Sequence, residues 1–167
     1  MNPILVNILT VLATFVGMEC VAWLAHKYLM HGLFWFLHHD HHQRDDRDFF
    51  EKNDYFFLIF ATPGILCLYF GLRDDYSTLF WIGTGISLYG MAYFLVHDIF
   101  IHQRFKIFRN TDSFYLKAIR KAHKVHHKHL GKHDGECFGM LWVSFKYFRE
   151  AKQAMAKQNK VQRSAPN

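Results

Sequence analysis

The chain has 167 residues, of which 51% are hydrophobic and 18% aromatic, and it carries 20 Lys+Arg against 14 Asp+Glu, with 13 His. That is the length of one domain, and its cysteines, Cys20, Cys67 and Cys137, lie far apart with no C-x-x-C and no Cys-x-His pair, which argues against a disulfide framework, a zinc ribbon and a Rieske cluster. No G-x-G-x-x-G or G-K-[ST] run occurs, so nucleotide and flavin binding have no support.

Residues 3–25 (PILVNILTVLATFVGMECVAWLA) hold one charge, Glu19. They lack a basic leader and a small-residue cleavage site, so they read as a retained span rather than a signal peptide. Residues 26–54 are polar and rich in histidine. Residues 55–72 and 78–96 are uncharged. Each of the three apolar runs is about long enough to cross ~30 Å of hydrocarbon; Pro63-Gly64 would either kink the second or turn it back, and spanning is the preferred reading. RDDYS at 73–77 is a tight connection that makes the last two a helical hairpin. Residues 97–133 carry the second histidine group, and 138–148 (FGMLWVSFKYF) resemble an interfacial amphipathic stretch. Nineteen of the 20 Lys+Arg fall in 26–54 and 97–167; the positive-inside rule then puts both regions in the cytoplasm and the N-terminus outside. Topology thus accounts for the basic charge, and no nucleic-acid motif is present. The expected fold is an all-α integral membrane bundle of about three to four transmembrane helices with a cytoplasmic histidine-rich cap. Residues 1–155 form the domain, and 156–167 form a polar, disordered tail.

An even number of crossings separates the two histidine groups, so both return to the same membrane face and can share one site. Their spacings repeat: His26-x4-His31 and His38-x2-His41-His42, then His97-x4-His102 and His123-x2-His126-His127. On an α-helix, i, i+3 and i+4 share one face. An i, i+5 pair stands about 140° apart; either the pair straddles two metals, or a local π-type widening aligns it. Ten imidazoles fit two metals better than one. His39, His129 and His133 fall outside the spacing and read as solvated or as partners behind the ligands. Asp40, Asp98 and Asp134 stand beside ligands and read equally as imidazole-orienting acids or as loop acids. Glu19, an acid within a span, reads as a buried hydrogen-bonding group. Imidazole alone does not choose among Zn, Cu, Fe and Ni, and there is no H-E-x-x-H.

These motifs, with the words MECVAWLAHKYLMHGLFWFLHHDHH (18–42), FEKND (50–54), GMAYFLVHDIFIHQR (90–104) and AHKVHHKHLGKHDGECFGMLW (122–142), resemble the bacterial β-carotene 3-hydroxylases of the membrane fatty acid hydroxylase and sterol desaturase superfamily. The resemblance spans all but the first dozen residues and the tail after about 150. It implies a non-haem di-iron monooxygenase that uses dioxygen to hydroxylate β-ionone rings at carbon 3, with two iron ions held by His26, His31, His38, His41, His42, His97, His102, His123, His126 and His127. It also implies a membrane-dissolved carotenoid substrate and a ferredoxin-type electron donor. Lys117, Arg120, Lys121, Lys124 and Lys128 would steer an acidic donor or merely enforce topology. Residues 32–37 (GLFWFL) form an apolar ramp between ligands, and Phe34, Trp35, Phe36 and Trp142 read as the substrate path or as interface anchors. The rival readings are a carotenoid ketolase, a sterol or fatty acid hydroxylase, or a non-enzymatic membrane metal-binding protein; the last needs polar ligands within the spans, where only Glu19 stands.

Overall fold

The computed structural model describes residues 2–43, 49–107 and 110–164. Helix α1 (Pro3–Leu24) starts where Asn2 Oδ1 accepts the Ile4 N–H at 2.9 Å, with Pro3 in the first turn, a position where its missing donor costs nothing. The helix widens into a π-helical segment, Ala25–Leu33, and leaves helical geometry at Gly32. A short α2 (Trp35–His42) follows. Glu51 and Asp54 form a capping box around the 3₁₀ turn Lys52–Asp54, which feeds α3 (Tyr55–Arg73). Helix α4 (Thr78–Tyr93) also ends in a π segment, Phe94–Ile101. Helices α5 (Phe114–His126) and α6 (Phe145–Ser164) complete the chain.

Three helical stretches among the described residues are long and apolar enough to cross a bilayer: Pro3–Leu33, Lys52–Arg73 and Thr78–Ile101. They match the expected spans and run further because the π segments continue two of them. Pro63 lies inside α3 without ending it. Helix α4 packs between α1 and α3, and small residues set the approach. A Cβ on Gly83 would stand 2.7 Å from Leu68 N, and one on Gly85 would stand 2.6 Å from Thr14 Cβ. The α3–α4 turn bends through left-handed Asp75 (φ 45) and Tyr76 (φ 58).

The outer faces of these helices remain apolar, with Ile4, Ile8, Leu12, Leu58, Ile65 and Leu88 exposed, as lipid contact requires. The buried apolar cores lie in the cap instead. Ala118, Ala122, Val143, Tyr147 and Ala151 join α5 to α6, while Phe100, Ile101, Ile119 and Met140 join α5 to the end of the third span. Helix α6 continues through 156–164, a stretch that its polarity marked as frayed. Its Ala, Lys and Gln residues favour helix, and Tyr147 and Ala151 anchor it one or two turns upstream. Residues 165–167 of that tail lie outside the described residues.

Gly83→Val is expected to lower the thermal midpoint of the detergent-solubilised protein by roughly 2–12 °C, the effect of about 1–3 kcal/mol of overpacking. Gly17→Ala, with nothing within 4 Å of its Cβ, is the control and should leave the midpoint unchanged or raise it slightly, since Ala favours the helix interior over Gly.

Candidate metal centre

The first π segment carries His26 and His31, and the second carries His97 with His102 at its C-cap. In a π-helix the hydrogen bond runs from i to i+5, and His102 N–H donates to His97 O at 2.9 Å. Residues five apart therefore stack over one another instead of diverging. The His26 and His31 rings come within 5.3 Å, and the His97 and His102 rings within 4.5 Å. Of the two arrangements open from sequence, the structure takes the aligned one. Helices α2 and α5 supply the H-x2-H-H sets from single faces.

Nine of the ten spaced histidines gather into two adjoining groups: His26, His31, His38, His42 and His126, and His41, His97, His102 and His123. Within each group the ligand atoms lie within 4.8 Å of one another. The tenth, His127, stands at the junction. Its Nε2 is 2.9 Å from His123 Nε2, and its ring stacks on His42 at 4.6 Å. Both halves of the chain contribute to each group, so the hairpin does return the second histidine set to the end of the bundle where the first lies.

What stands behind each ring fixes what its inner nitrogen can do. Nδ1–H of His26 donates to Phe138 O (3.0 Å), His31 to Lys132 O (3.2 Å), His42 to His129 O (2.9 Å) and His126 to Glu136 O (2.8 Å). His38 donates to Asn53 Oδ1 (2.7 Å), His41 to Glu51 Oε2 (2.7 Å) and His97 to Asp98 Oδ2 (3.3 Å). All seven partners are oxygen acceptors, so in a neutral ring the proton sits on Nδ1 and Nε2 presents a lone pair. Three inner contacts then join lone pair to lone pair: His26–His38 at 3.2 Å, His31–His126 at 3.2 Å and His41–His97 at 3.1 Å. No hydrogen bond forms across such a contact, and the repulsion is relieved by a cation. Cis nitrogens on a metal with bonds of about 2.1 Å stand about 3 Å apart, which matches these separations. His42 Nε2 is buried with no hydrogen-bond partner, as an unmetallated ligand atom would be. The donor set therefore fits two metal positions.

The electrostatics agree. In the cap, burial first and neighbouring imidazoles second push His42 down to about 4 and His126 and His127 to about 2. Burial brings His38 to about 2 as well. His41 and His123 are driven well below the usual histidine range by burial, then by His102 and His97. These rings are neutral at pH 7, the form that binds metal.

Glu19 takes the hydrogen-bonding role expected of it. Its Oε1 accepts the backbone N–H groups of Met140, Leu141 and Trp142, each at 2.9 Å, and its Oε2 accepts the Tyr89 hydroxyl at 2.8 Å. It thereby clamps the loop whose Phe138 carbonyl orients His26. Among the three aspartates, only Asp98 backs a ligand. Asp40 accepts the Lys52 N–H at 2.6 Å, and Asp134 is an exposed left-handed turn residue (φ 64). His129 contributes its carbonyl, whereas His39 and His133 are exposed. Trp35 lies against the first group, 5.2 Å from the His31 ring and 5.5 Å from that of His42. Phe34 packs on Phe36 and Phe56. Phe36 and Trp142 are exposed, Trp142 at 70%, and the Trp142 contact with Glu19 is made by its backbone. Phe138 was not among the aromatic residues singled out from sequence, yet its ring lies 5.2–5.5 Å from His26, His31 and His126. An open cavity of about 270 Å³ reaches the second group from its other side, lined by His41, His42, His102, His123, His127 and Lys124.

Fold and site together define a class: a multi-span helical membrane protein with a two-part histidine centre suited to metal. The fatty acid hydroxylase family model matches residues 11–148. The chain belongs to that family. It is 42% identical over 137 residues to a protein of Pantoea ananas named β-carotene hydroxylase, covering 82% of this chain and 77% of that one. A β-carotene hydroxylase of Pseudescherichia vulneris is 37% identical over 139 residues, with 83% and 78% covered. A chloroplastic β-carotene 3-hydroxylase of an Oncidium hybrid cultivar is 38% identical over 161 residues, with 91% and 52% covered. No solved structure matches.

Glu19→Ala leaves three loop N–H groups without their acceptor, a loss of about 1–3 kcal/mol or more. Its thermal midpoint and its metal content per chain should both fall, with Glu19→Gln intermediate; an unchanged metal content would separate the clamp from the centre. A second expectation concerns pH. Histidine in the unfolded chain titrates near about 6.5, so below that pH the unfolded state binds more protons than the folded cap does. Stability of the metal-free protein should be flat above about pH 6.5. It should fall steadily as the pH drops towards the folded values of His42 (about 4) and of His38, His126 and His127 (about 2). Thermal melts of the chelator-treated protein from pH 8 to 5 test this.

Proposed function

We propose that this chain hydroxylates the β-ionone rings of a membrane-dissolved carotenoid at carbon 3, carrying β-carotene through β-cryptoxanthin to zeaxanthin. The observation that carries the reading is the set of three short contacts between Nε2 atoms whose rings hold their protons on the far side. Such a centre suits two metal ions, which we read as iron, in keeping with membership of the fatty acid hydroxylase family. One position takes His26, His31, His38, His42 and His126. The other takes His41, His97, His102 and His123, with His127 completing it from 2.9 Å beside His123.

Bound iron supplies activation of dioxygen, chemistry that side chains alone do not have. One oxygen atom enters the ring C–H bond and the other leaves as water, which requires two electrons and two protons from outside. A ferredoxin-type donor meets the electron requirement. Of the basic residues considered for its docking, Arg120 is engaged by Phe100, with its guanidinium 3.8 Å from the ring centroid and Nη2 donating to the carbonyl. Lys121 pairs with Glu150 at 2.6 Å. Lys124 and Lys128 are exposed, and Lys124 edges the cavity that opens on the second group, so these two are the better candidates. The cell membrane is the expected location, and the basic residues flanking the spans favour a cytoplasmic cap.

The work of the chain is to hold and exclude. Seven Nδ1 anchors keep the imidazoles aimed inward. Trp35 and Phe138 wall the first position with apolar surface, against which a ring methylene can lie while water is kept out. Phe34 and Phe36 continue that surface towards the lipid-facing side.

Expression in a β-carotene-producing host should yield zeaxanthin by pigment chromatography. His126→Ala should yield none. Canthaxanthin as the product would mean a ketolase, and unaltered β-carotene with an active iron centre would mean a different lipid substrate. Trp35→Ala and Phe138→Ala should retain metal but lower turnover about 10- to 100-fold, the effect of a misplaced substrate.

A further inference from the structure

The oxygen atoms behind the two histidine groups differ in charge. For the first group all five are neutral: the carbonyls of Phe138, Lys132, His129 and Glu136, and the Asn53 amide. For the second, His41 is backed by the Glu51 carboxylate and His97 by the Asp98 carboxylate. Both carboxylates converge on one cation. Arg104 lies 3.3 Å from Glu51 through Nη2 and 3.2 Å from Asp98 through Nε. It is held in place by a two-pronged bond to Asp54, from Nη1 to Oδ2 at 3.0 Å and from Nη2 to Oδ1 at 2.6 Å. The arginine side chain is only 9% exposed. Gln103 turns the chain through φ 55, and Arg104 N–H closes on Asp98 O at 3.0 Å, so the guanidinium comes back under the π segment that carries His97.

An imidazole that donates its Nδ1–H to a carboxylate is a stronger electron donor than one that donates to a neutral carbonyl. We infer that the two metal positions are unequal: the position of His41 and His97 binds its metal more tightly because of Glu51 and Asp98. Arg104 is the positioning residue that sets both carboxylates at once. The inference rests on the reading that each histidine group holds one metal ion. Arg104 reaches the histidine group through the two carboxylates. A planar guanidinium meets three carboxylates in fixed geometry, which the ammonium of lysine does not reproduce.

The test uses the full-length protein loaded with ⁵⁷Fe in detergent, with iron release to a ferrous chelator followed in time and Mössbauer spectra recorded before release. Wild type should bind two irons per chain, lose them in two phases of equal amplitude and show two quadrupole doublets. Glu51→Gln keeps an acceptor oxygen but removes the charge; it should speed the slow phase about 10- to 100-fold and move one doublet only. Arg104→Gln should disturb that same phase and doublet. Adding Glu51→Gln to it should produce less further change than Glu51→Gln produces alone, since Glu51 is already displaced. Arg104→Lys should restore the slow phase only in part. Asn53→Leu, behind the first group, should affect the fast phase and the other doublet. One release phase in wild type, or equal effects of Glu51→Gln on both doublets, overturns the inequality. Should Arg104→Gln not fold, Glu51→Gln and Asn53→Leu still decide it. Fewer than two irons in wild type overturns the two-metal reading itself, a failure that release kinetics do not mimic.

Discussion

The structure depends on one constraint: each imidazole has a single proton to place, and an oxygen behind the ring takes it. Once Nδ1–H is committed outward, Nε2 becomes a lone pair directed at other lone pairs. Seven rings are committed this way, and the crowding they create at about 3 Å is stable only with positive charge among them. Burial reinforces the constraint, because a ring sealed from water resists taking the second proton that would otherwise relieve the repulsion. The rest of the cap (the 3₁₀ turn before α3, the loop before α6, the carbonyls beyond α5) serves to deliver those oxygens.

The helices solve a matching geometric problem. A span that continues as an α-helix would turn its two histidines, five residues apart, away from one another. Widening the last turns to π geometry stacks them, and it does so at the cap end of two different spans. One residue more per hydrogen-bonded ring is a local cost in backbone packing, commonly found where function requires it. Here it lets two helices in the membrane bundle each present a pair of ligands to a single position, while α2 and α5 close the centre from the other sides.

Much of this is legible in sequence because the relevant signals are periodic. The apolar runs announced the spans, and Pro63 did not interrupt α3. Parity announced that the two histidine sets meet. The i, i+3, i+4 spacing announced the shared faces of α2 and α5. What sequence did not carry is the division of the ligands into two groups, since that follows from how helices distant in the chain are juxtaposed. Nor did it carry the anchors behind the rings. Most are backbone carbonyls, which have no residue signature. Glu51, Asn53 and Arg104 do have one: the polar run immediately before the second span holds the first two, and Arg104 stands two residues after His102. Asp40 and Asp134 looked as suited to the task as Asp98, but Asp40 accepts from the Lys52 N–H and Asp134 is an exposed turn residue.

Glu19 lies in α1, and the loop it grips is more than a hundred residues downstream. The same late loop provides the carbonyls behind His26, His31 and His126. A ribosome must therefore have delivered the chain past residue 138, all three spans included, before the first group has all its anchors. Biogenesis is thus ordered by the fold: all three spans precede His126 and the late loop in the chain, so the first histidine group is completed only after they have been made.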